Sequence, residues 1–243
     1  SVLDTYDLEP GDEIRVDSGE YTMSRMIQID NGDGGAERTP VRIIGSTGAR
    51  RTLLDFNAVH SDGIFVRANF VQIEQIDITG AAAGIYAQGF EQGAIQNCRL
   101  FNNDRGVVLL GMKNGVMRHC ILDHNRQRGA YIDCNGLQFR NNTVCFNEEY
   151  QLELISTSTI DNPLVFGHNI FMGKGKTQNV IWDRLAAEIS QSVIQFQYNN
   201  FYFIEGANDG VPFSRGDFSY SLDPLFADPD GIDDIPGTAD DDF

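Results

Sequence analysis

The sequence predicts an all-β chain wound as a solenoid of parallel strands, with coils of about 22 residues, and three observations predict it. One short phrase returns at a fixed interval: "NCRLFNND" begins at residue 97, "HCILDHNR" 22 residues later and "NNTVCFNE" 22 later again. Within each interval apolar residues alternate with polar ones, the period of a strand and not of a helix. Glycines and polar clusters separate the alternating stretches and supply turns.

Laid out in order, the coils read "GIFVRANFVQIEQIDITGAAA", "GIYAQGFEQGAIQNCRLFNNDR", "GVVLLGMKNGVMRHCILDHNRQR" and "GAYIDCNGLQFRNNTVCFNEEY". Ile76, Cys98, Cys120 and Asn142 are equivalent, as are Ile78, Leu100, Leu122 and Val144, and Asn103, Asn125 and Asn147. Ile85 and Ala87, then Ile95, then Cys98 and Leu100 mark three short strands per coil, with a tight corner between Ile95 and Cys98. Successive coils then pair about 4.8 Å apart, so apolar positions stack into rows and asparagines hydrogen-bond along the axis. Asn169 in "FGHNIF" and Asn200 in "YNNFYF" are expected to continue the inward row, at intervals of 27 and 31 that imply longer loops. "DRLAAEIS", residues 183–190, reads as a helical loop insertion. Leucine-rich repeats share the period but need LxxLxLxxN and a helix or its equivalent, which these coils lack. Residues 1–220 are assigned to the solenoid with an N-terminal cap, and 221–243 to an acidic tail.

The chain has 243 residues and is 41% hydrophobic, enough for one sizeable core. Eighteen Lys and Arg against 35 Asp and Glu give a net charge of −17, which disfavours nucleic acid and anionic membranes unless a local patch or a metal ion reverses the field. No apolar run is long enough to insert in a membrane, and the start at Ser1 is read as a trimmed or mature segment. The four cysteines form neither a disulfide framework nor a CxxC zinc pattern. Cys98 and Cys120 read as small apolar residues stacked in one buried row.

These coils resemble the PbH1-type repeats of right-handed parallel β-helix proteins in the pectin-lyase-like superfamily. The entrance, "LEPGDEIRVDSGEYTMSRMIQIDNGDGGAERTPVRIIGS" at residues 8–46, is similar to the N-terminal module of polysaccharide lyases of the chondroitinase B and alginate lyase type, through its PGD-x-I, G-x-Y and P-x-x-I-x-G phrases. "SLDPLFADPDGIDDIPGTADDDF" is similar to the tails of large secreted bacterial β-helix proteins, in which the chain runs on. The resemblance implies a right-handed parallel β-helix, a secreted or cell-surface location, further domains in a longer chain and a polysaccharide partner. On such a scaffold lyase-like action on a uronate-containing glycan and a non-catalytic binding or adhesin role both remain open.

Chemistry is expected on the outside of the coils. One outward row on the first strand reads Phe65, Tyr86, Val108, Tyr131 and Glu153, and the next Arg67, Gln88, Leu110, Asp133 and Ile155. Phe65, Tyr86, Tyr131, Asp133 and Glu153 suit a sugar chain, because pyranose C–H faces pack on rings while hydroxyls take directional hydrogen bonds. Val108, Leu110 and Ile155 favour a covered surface instead. A lyase needs a cation for the uronate carboxylate and a base for the neighbouring proton. Arg118, Arg140 and His119, with Lys113 in reserve, are the expected cast, in an outward row that also holds Glu74 and Gln96. Asp133 with Glu153 is a diagonal pair about 8 Å apart, compatible with an inverting hydrolase, although acids are plentiful here.

In the tail, Asp228, Asp230, Gly231 and Asp233 give a D-x-D-G-x-D spacing that points to calcium, the expected cofactor, while "DNGDGG" at residues 30–35 reads as a plain turn. A solvated acidic linker is the other reading. If the tail binds calcium, thermal melting in EDTA and then in millimolar calcium raises the midpoint, and Asp230→Ala erases the rise; an unchanged midpoint leaves the linker.

Overall fold

The computed structural model describes residues 6–48, 50–57, 60–155, 161–174, 179–183, 193–204 and 218–226. Coil one holds β1 (Glu13–Arg15), β2 (Gly19–Thr22) and β3 (Ile27–Ile29), and coil two β4 (Val41–Ile44), β5 (Thr52–Asp55) and β6 (Ile64–Val66). Coil three holds β7 (Val71–Glu74), β8 (Ile76–Thr79) and β9 (Ala83–Gln88), and coil four β10 (Ala94–Gln96), β11 (Arg99–Phe101) and β12 (Arg105–Lys113). Coil five holds β13 (Val116–Arg118), β14 (Ile121–Asp123) and β15 (Arg128–Asn135), and coil six β16 (Gln138–Arg140), β17 (Thr143–Cys145) and β18 (Tyr150–Leu154). Coil seven holds β19 (Leu164–Gly167), β20 (Ile170–Lys174) and β21 (Asn179–Asp183), and coil eight β22 (Ile194–Gln197) and β23 (Asn200–Ile204).

First strands pair only with first strands, second with second and third with third, all parallel, so three sheets form the sides of a prism. Sheet A runs from β1 to β22, sheet B from β2 to β23 and sheet C from β3 to β21. This is the parallel β-helix that the 22-residue period predicts, with three strands per coil and Leu100 opposite Ile78 and Leu122.

From coil three onward each turn from sheet A to sheet B is made by one residue with left-handed backbone: Gln75, Asn97, His119, Asn141, His168 and Tyr198. Turning there takes the next amide out of the sheet's hydrogen-bond register, and a buried N–H must find another partner. Asparagine side chains supply it. Cys120 N donates to Asn142 Oδ1 at 3.0 Å, Asn142 N to Asn169 Oδ1 at 2.9 Å and Asn169 N to Asn199 Oδ1 at 3.0 Å. The continuing residue is therefore Asn199 and not the expected Asn200, and the intervals are 27 and 30. Strand pairing explains the correction, because Asn200 lies opposite Ile170 inside the strand whereas Asn199 sits at the corner. In the earlier coils the Cys98 and Cys120 thiols face the Ile73 and Ile95 carbonyls, the place that the Asn142 amide takes against Met117.

A second ladder lines the turn from sheet B to sheet C. Ala81 N donates to Asn103 Oδ1, Asn103 N to Asn125 Oδ1 and Asn125 N to Asn147 Oδ1, at 2.9, 3.0 and 3.0 Å. Beyond Asn147 the acceptor is Gln151 Oε1, from the same turn. Glycine is needed beside this ladder: a Cβ on Gly106 would lie 2.5 Å from the Gly129 carbonyl and 2.9 Å from Asn125 Nδ2. Between the ladders the core is built of rows such as Ile78, Leu100, Leu122, Val144, Phe171 and Phe201, all buried. Rings stack towards the C-terminal coils, with Phe166 and Phe196 centroids 4.8 Å apart.

Asp30 and Asp33 close a 3-10 turn on themselves and on the Leu8 amide, the plain turn expected there. Asp183 ends β21 instead of starting a helix, and residues 184–190 of the expected insertion lie outside the described residues. Contacts with the solenoid continue past residue 220: the Asn200 side chain exchanges two hydrogen bonds with Leu222, and the Phe226 ring meets Phe146 at 6.3 Å. Facing outward does not mean exposed: Arg99 is buried and grips buried Asp123 through Nε at 3.0 Å and Nη2 at 2.8 Å.

Leu100→Ala or Leu122→Ala is expected to cost roughly 2–5 kcal/mol in denaturant unfolding, because each empties a filled core row. Arg99→Ala is expected to cost about 3–5 kcal/mol by breaking a buried two-nitrogen ion pair with Asp123, while exposed Arg118→Ala stays within about 0.5 kcal/mol. All four cysteines are free and buried, and burial pushes the Cys134 thiol up to about 12. Native protein is therefore expected to be inert to Ellman's reagent at neutral pH, with four thiols appearing only on unfolding.

Candidate functional site

Parallel in-register pairing carries any outward residue of one coil directly above its equivalent in the next, so a side of the prism is a set of rows. On sheet C the central row is the expected one, with Phe65 opposite Tyr86, Tyr86 opposite Val108, Val108 opposite Tyr131 and Tyr131 opposite Glu153. The Phe65 and Tyr86 rings meet at 5.3 Å, and the Arg67 guanidinium lies 4.8 Å above the Phe65 ring. Phe65, Tyr86 and Tyr131 are half-buried. Asp133 lies in the neighbouring row, opposite Leu110.

Glu153 differs from its expected role. It is 0% exposed and ion-paired with Arg128, so its carboxylate is not presented to solvent, and no open Asp133–Glu153 acid pair exists. Val108 is 1% exposed, so the middle of the row is recessed.

A third row, at the start of the sheet C strands, escaped the sequence reading. Arg105 lies opposite Ala83 and Arg128, and Arg128 opposite Tyr150. Each arginine immediately precedes a coil glycine, Gly106 or Gly129, and counting coils from that glycine drops the residue before it. Arg128 is engaged by Glu153 and, at 3.5 Å, by Glu149, and it sits 5.7 Å from the Tyr150 ring centre. Arg105 has no ion-pair partner among the described residues, and its buried Nε has no hydrogen-bond partner. Asp62 faces it: burial pushes the Asp62 carboxyl above its ordinary range, against the opposing pull of Arg105 and the Ala83 N–H. Ser61 Oγ, Asp133 Oδ1 and Asn135 Oδ1 are likewise buried without partners on this side. Buried polar atoms are normally paired, so their concentration on one side marks a surface built to meet something polar.

Arg118, Arg140 and His119 are not on this side. Arg118 and Arg140 stack in register on sheet A, below Gln96 and Glu74, and His119 forms the adjoining corner. All three are exposed. Arg118 Nε donates to Gln96 Oε1 at 2.8 Å, Arg140 Nε donates to Gln138 Oε1 at 2.9 Å, and Glu74 is held by Arg42 at 3.2 Å. Lys113 pairs with Glu91 at 3.0 Å. The expected cations and the expected sugar-packing rings thus lie on different sides of the prism. Asp228, Asp230 and Asp233 lie outside the described residues, among which no group of three His, Cys, Asp or Glu side chains is arranged to hold a metal ion.

The family model described as "Right handed beta helix region" matches residues 21–171. No curated protein matches the chain. Among solved structures, pectate lyase Pel9A superposes with a TM-score of 0.59 at 14% identity, over 81% of this chain and 54% of its own. A rhamnogalacturonan lyase gives 0.60 at 12% identity, over 83% of this chain and 61% of its own. An alginate lyase from Paenibacillus sp. str. FPU-7 gives 0.55 at 14% identity, over 87% and 89%. The chain therefore spans a little over half the length of the first two, and at these identities the likeness is one of fold. With its three parallel sheets and a match over residues 21–171, the chain belongs to the right-handed β-helix family that its repeats resemble.

Proposed function

We propose that this chain recognises an acidic polysaccharide along the outer side of sheet C and acts on it as a lyase. The observation that carries this reading is the row of Phe65, Tyr86 and Tyr131 beside Arg105, whose charge has no ion-pair partner among the described residues. The rings offer apolar faces to pyranose C–H groups, and the half-buried side chain of Asp133 in the neighbouring row accepts sugar hydroxyls. Elimination takes the C5 proton beside a uronate carboxylate and breaks the C4–O4 bond: Arg105 neutralises the carboxylate, while a tyrosine of the neighbouring row, deprotonated in the complex, takes the C5 proton and returns it to the leaving O4. Arg118, Arg140 and His119 would serve only a chain bound at the other side. The solved lyases of this fold support the polysaccharide, and such a polymer implies a secreted or surface-exposed protein.

A second reading, a binding module without turnover, is favoured by one observation: Arg128 and Glu153 neutralise each other, which takes one of the two stacked arginines, and the buried acid, out of any proton transfer on this side. Incubation with pectate, alginate and glycosaminoglycans, followed by absorbance of unsaturated products, separates the two. For a lyase, Arg105→Ala or Tyr131→Phe is expected to lower the rate by about 100-fold or more, with Arg118→Ala and Arg140→Ala within about twofold. The opposite pattern moves the chemistry to sheet A. For a binding module no product forms, and affinity electrophoresis shows retardation weakened by Tyr86→Ala or Tyr131→Ala.

A further inference from the structure

Sheet B carries charges that the sheet C reading does not use. Along its outer side Arg51, Asp77, Arg99 and Asp123 alternate in sign. Arg51 donates to Asp77 through Nε at 2.6 Å and Nη2 at 2.8 Å, and Arg99 clasps Asp123 through two nitrogens. Asp77 also accepts the Arg99 backbone N–H at 3.0 Å, and Asp123 lies 2.9 Å from His124 Nδ1. Both carboxylates are buried and fully engaged.

What the network leaves over is cationic. Arg51 Nη2 also reaches the Asn97 carbonyl at 2.6 Å, while its Nη1 has no partner among the described residues. Arg50 beside it is exposed and likewise without one, and so is His119 on the corner. These groups rim a groove of about 510 Å³, floored by Leu53 and Phe101, that continues into a further space of about 240 Å³ past Ile121 and His119. The Arg99 guanidinium lies over the Phe101 ring, 4.5 Å from its centre, and lines the same groove. Glu20 is the one rim acid without a partner among the described residues, and it suits a hydroxyl.

We infer that this groove is a second glycan site, one that takes an acidic sugar. Carboxylates of successive sugars sit on Arg50 at one end and between Arg51 Nη1 and His119 at the other, and the pyranose faces lie on Leu53 and Ile121. A small inorganic anion would use the cations but leave the apolar floor and the groove's length idle. The groove spans β5, β8, β11 and β14, roughly 14 Å at the usual strand spacing, which suits two or three linked sugars. It also resolves the charge problem of a −17 chain that binds an acidic polymer, because the cations gather where the acids are already paired.

The test is calorimetric titration of the whole chain with trimers of galacturonate, mannuronate and guluronate, in a Tyr86→Ala/Tyr131→Ala background that disables the sheet C row. At least one trimer is expected to bind there, tenfold or more tighter than its methyl ester. Adding Arg50→Ala and His119→Ala is expected to weaken it at least tenfold with the melting midpoint unchanged, since neither side chain has a structural partner. Absence of binding in that background, or binding indifferent to Arg50 and His119, overturns the inference. Equal displacement by sodium sulfate at matched ionic strength reduces the groove to a simple anion site and overturns the sugar assignment. The sheet C reading fails separately, if the tyrosine changes leave the wild-type isotherm unaltered.

Discussion

A chain that turns a sharp corner every few residues repeatedly pulls a backbone amide out of the sheet and into a dry interior. Left alone, each such N–H costs about 1–3 kcal/mol, and a solenoid with two tight corners per coil multiplies that cost by its length. The two side-chain ladders remove it, because each asparagine accepts the N–H of the coil before and donates to a strand carbonyl of that same preceding coil. An asparagine suits this position because its side chain holds an acceptor and a donor a fixed distance apart. Everything else follows from coils being held in exact register.

Register turns a one-dimensional sequence into a surface of rows. The same stacking that aligns Leu100 under Leu122 aligns Tyr86 and Tyr131 on sheet C, Arg118 and Arg140 on sheet A, and Arg51 beside Asp77 on sheet B. Each side thereby acquires its own chemistry: sheet C aromatic and partly orphaned, sheet A exposed and polar, sheet B a chain of paired charges with cations at its margin. The sides share no residues, so one can change without disturbing the others.

Much of this was legible because the period is exact where it matters. The rows of Leu100 and Leu122, the ladder of Asn103, Asn125 and Asn147, and the single-residue corners all follow from a constant step and an alternating pattern. Asn199 was misplaced because "YNN" offers two adjacent asparagines, and only strand pairing decides which one faces the corner. Alternation tells inward from outward but not whether an outward residue is covered, as Arg99 is. Glu153 failed as an open ligand for the same reason. Arg105 and Arg128 were missed because the recurring glycine was treated as the coil's start, although the strands begin one residue earlier. Nothing in the spacing says which cations are already paired, so the candidate site needed coordinates more than the fold did.

The close of the ladder at Gln151 has a consequence for how such a chain grows. Up to Asn147 every asparagine at that turn answers to one 22 residues away, so no coil can gain or lose a residue there without stranding its neighbour. Gln151 answers Asn147 from four residues away. That local closure ends the ladder at this turn; beyond it the corner ladder holds across intervals of 27 and 30, and the first coils likewise pair across 29 and 30 residues. The middle coils, of one length, are thus suited to duplication as whole units, whereas the coils at both ends accommodate longer loops, the places where a lineage of such proteins can acquire new surface without unwinding the stack.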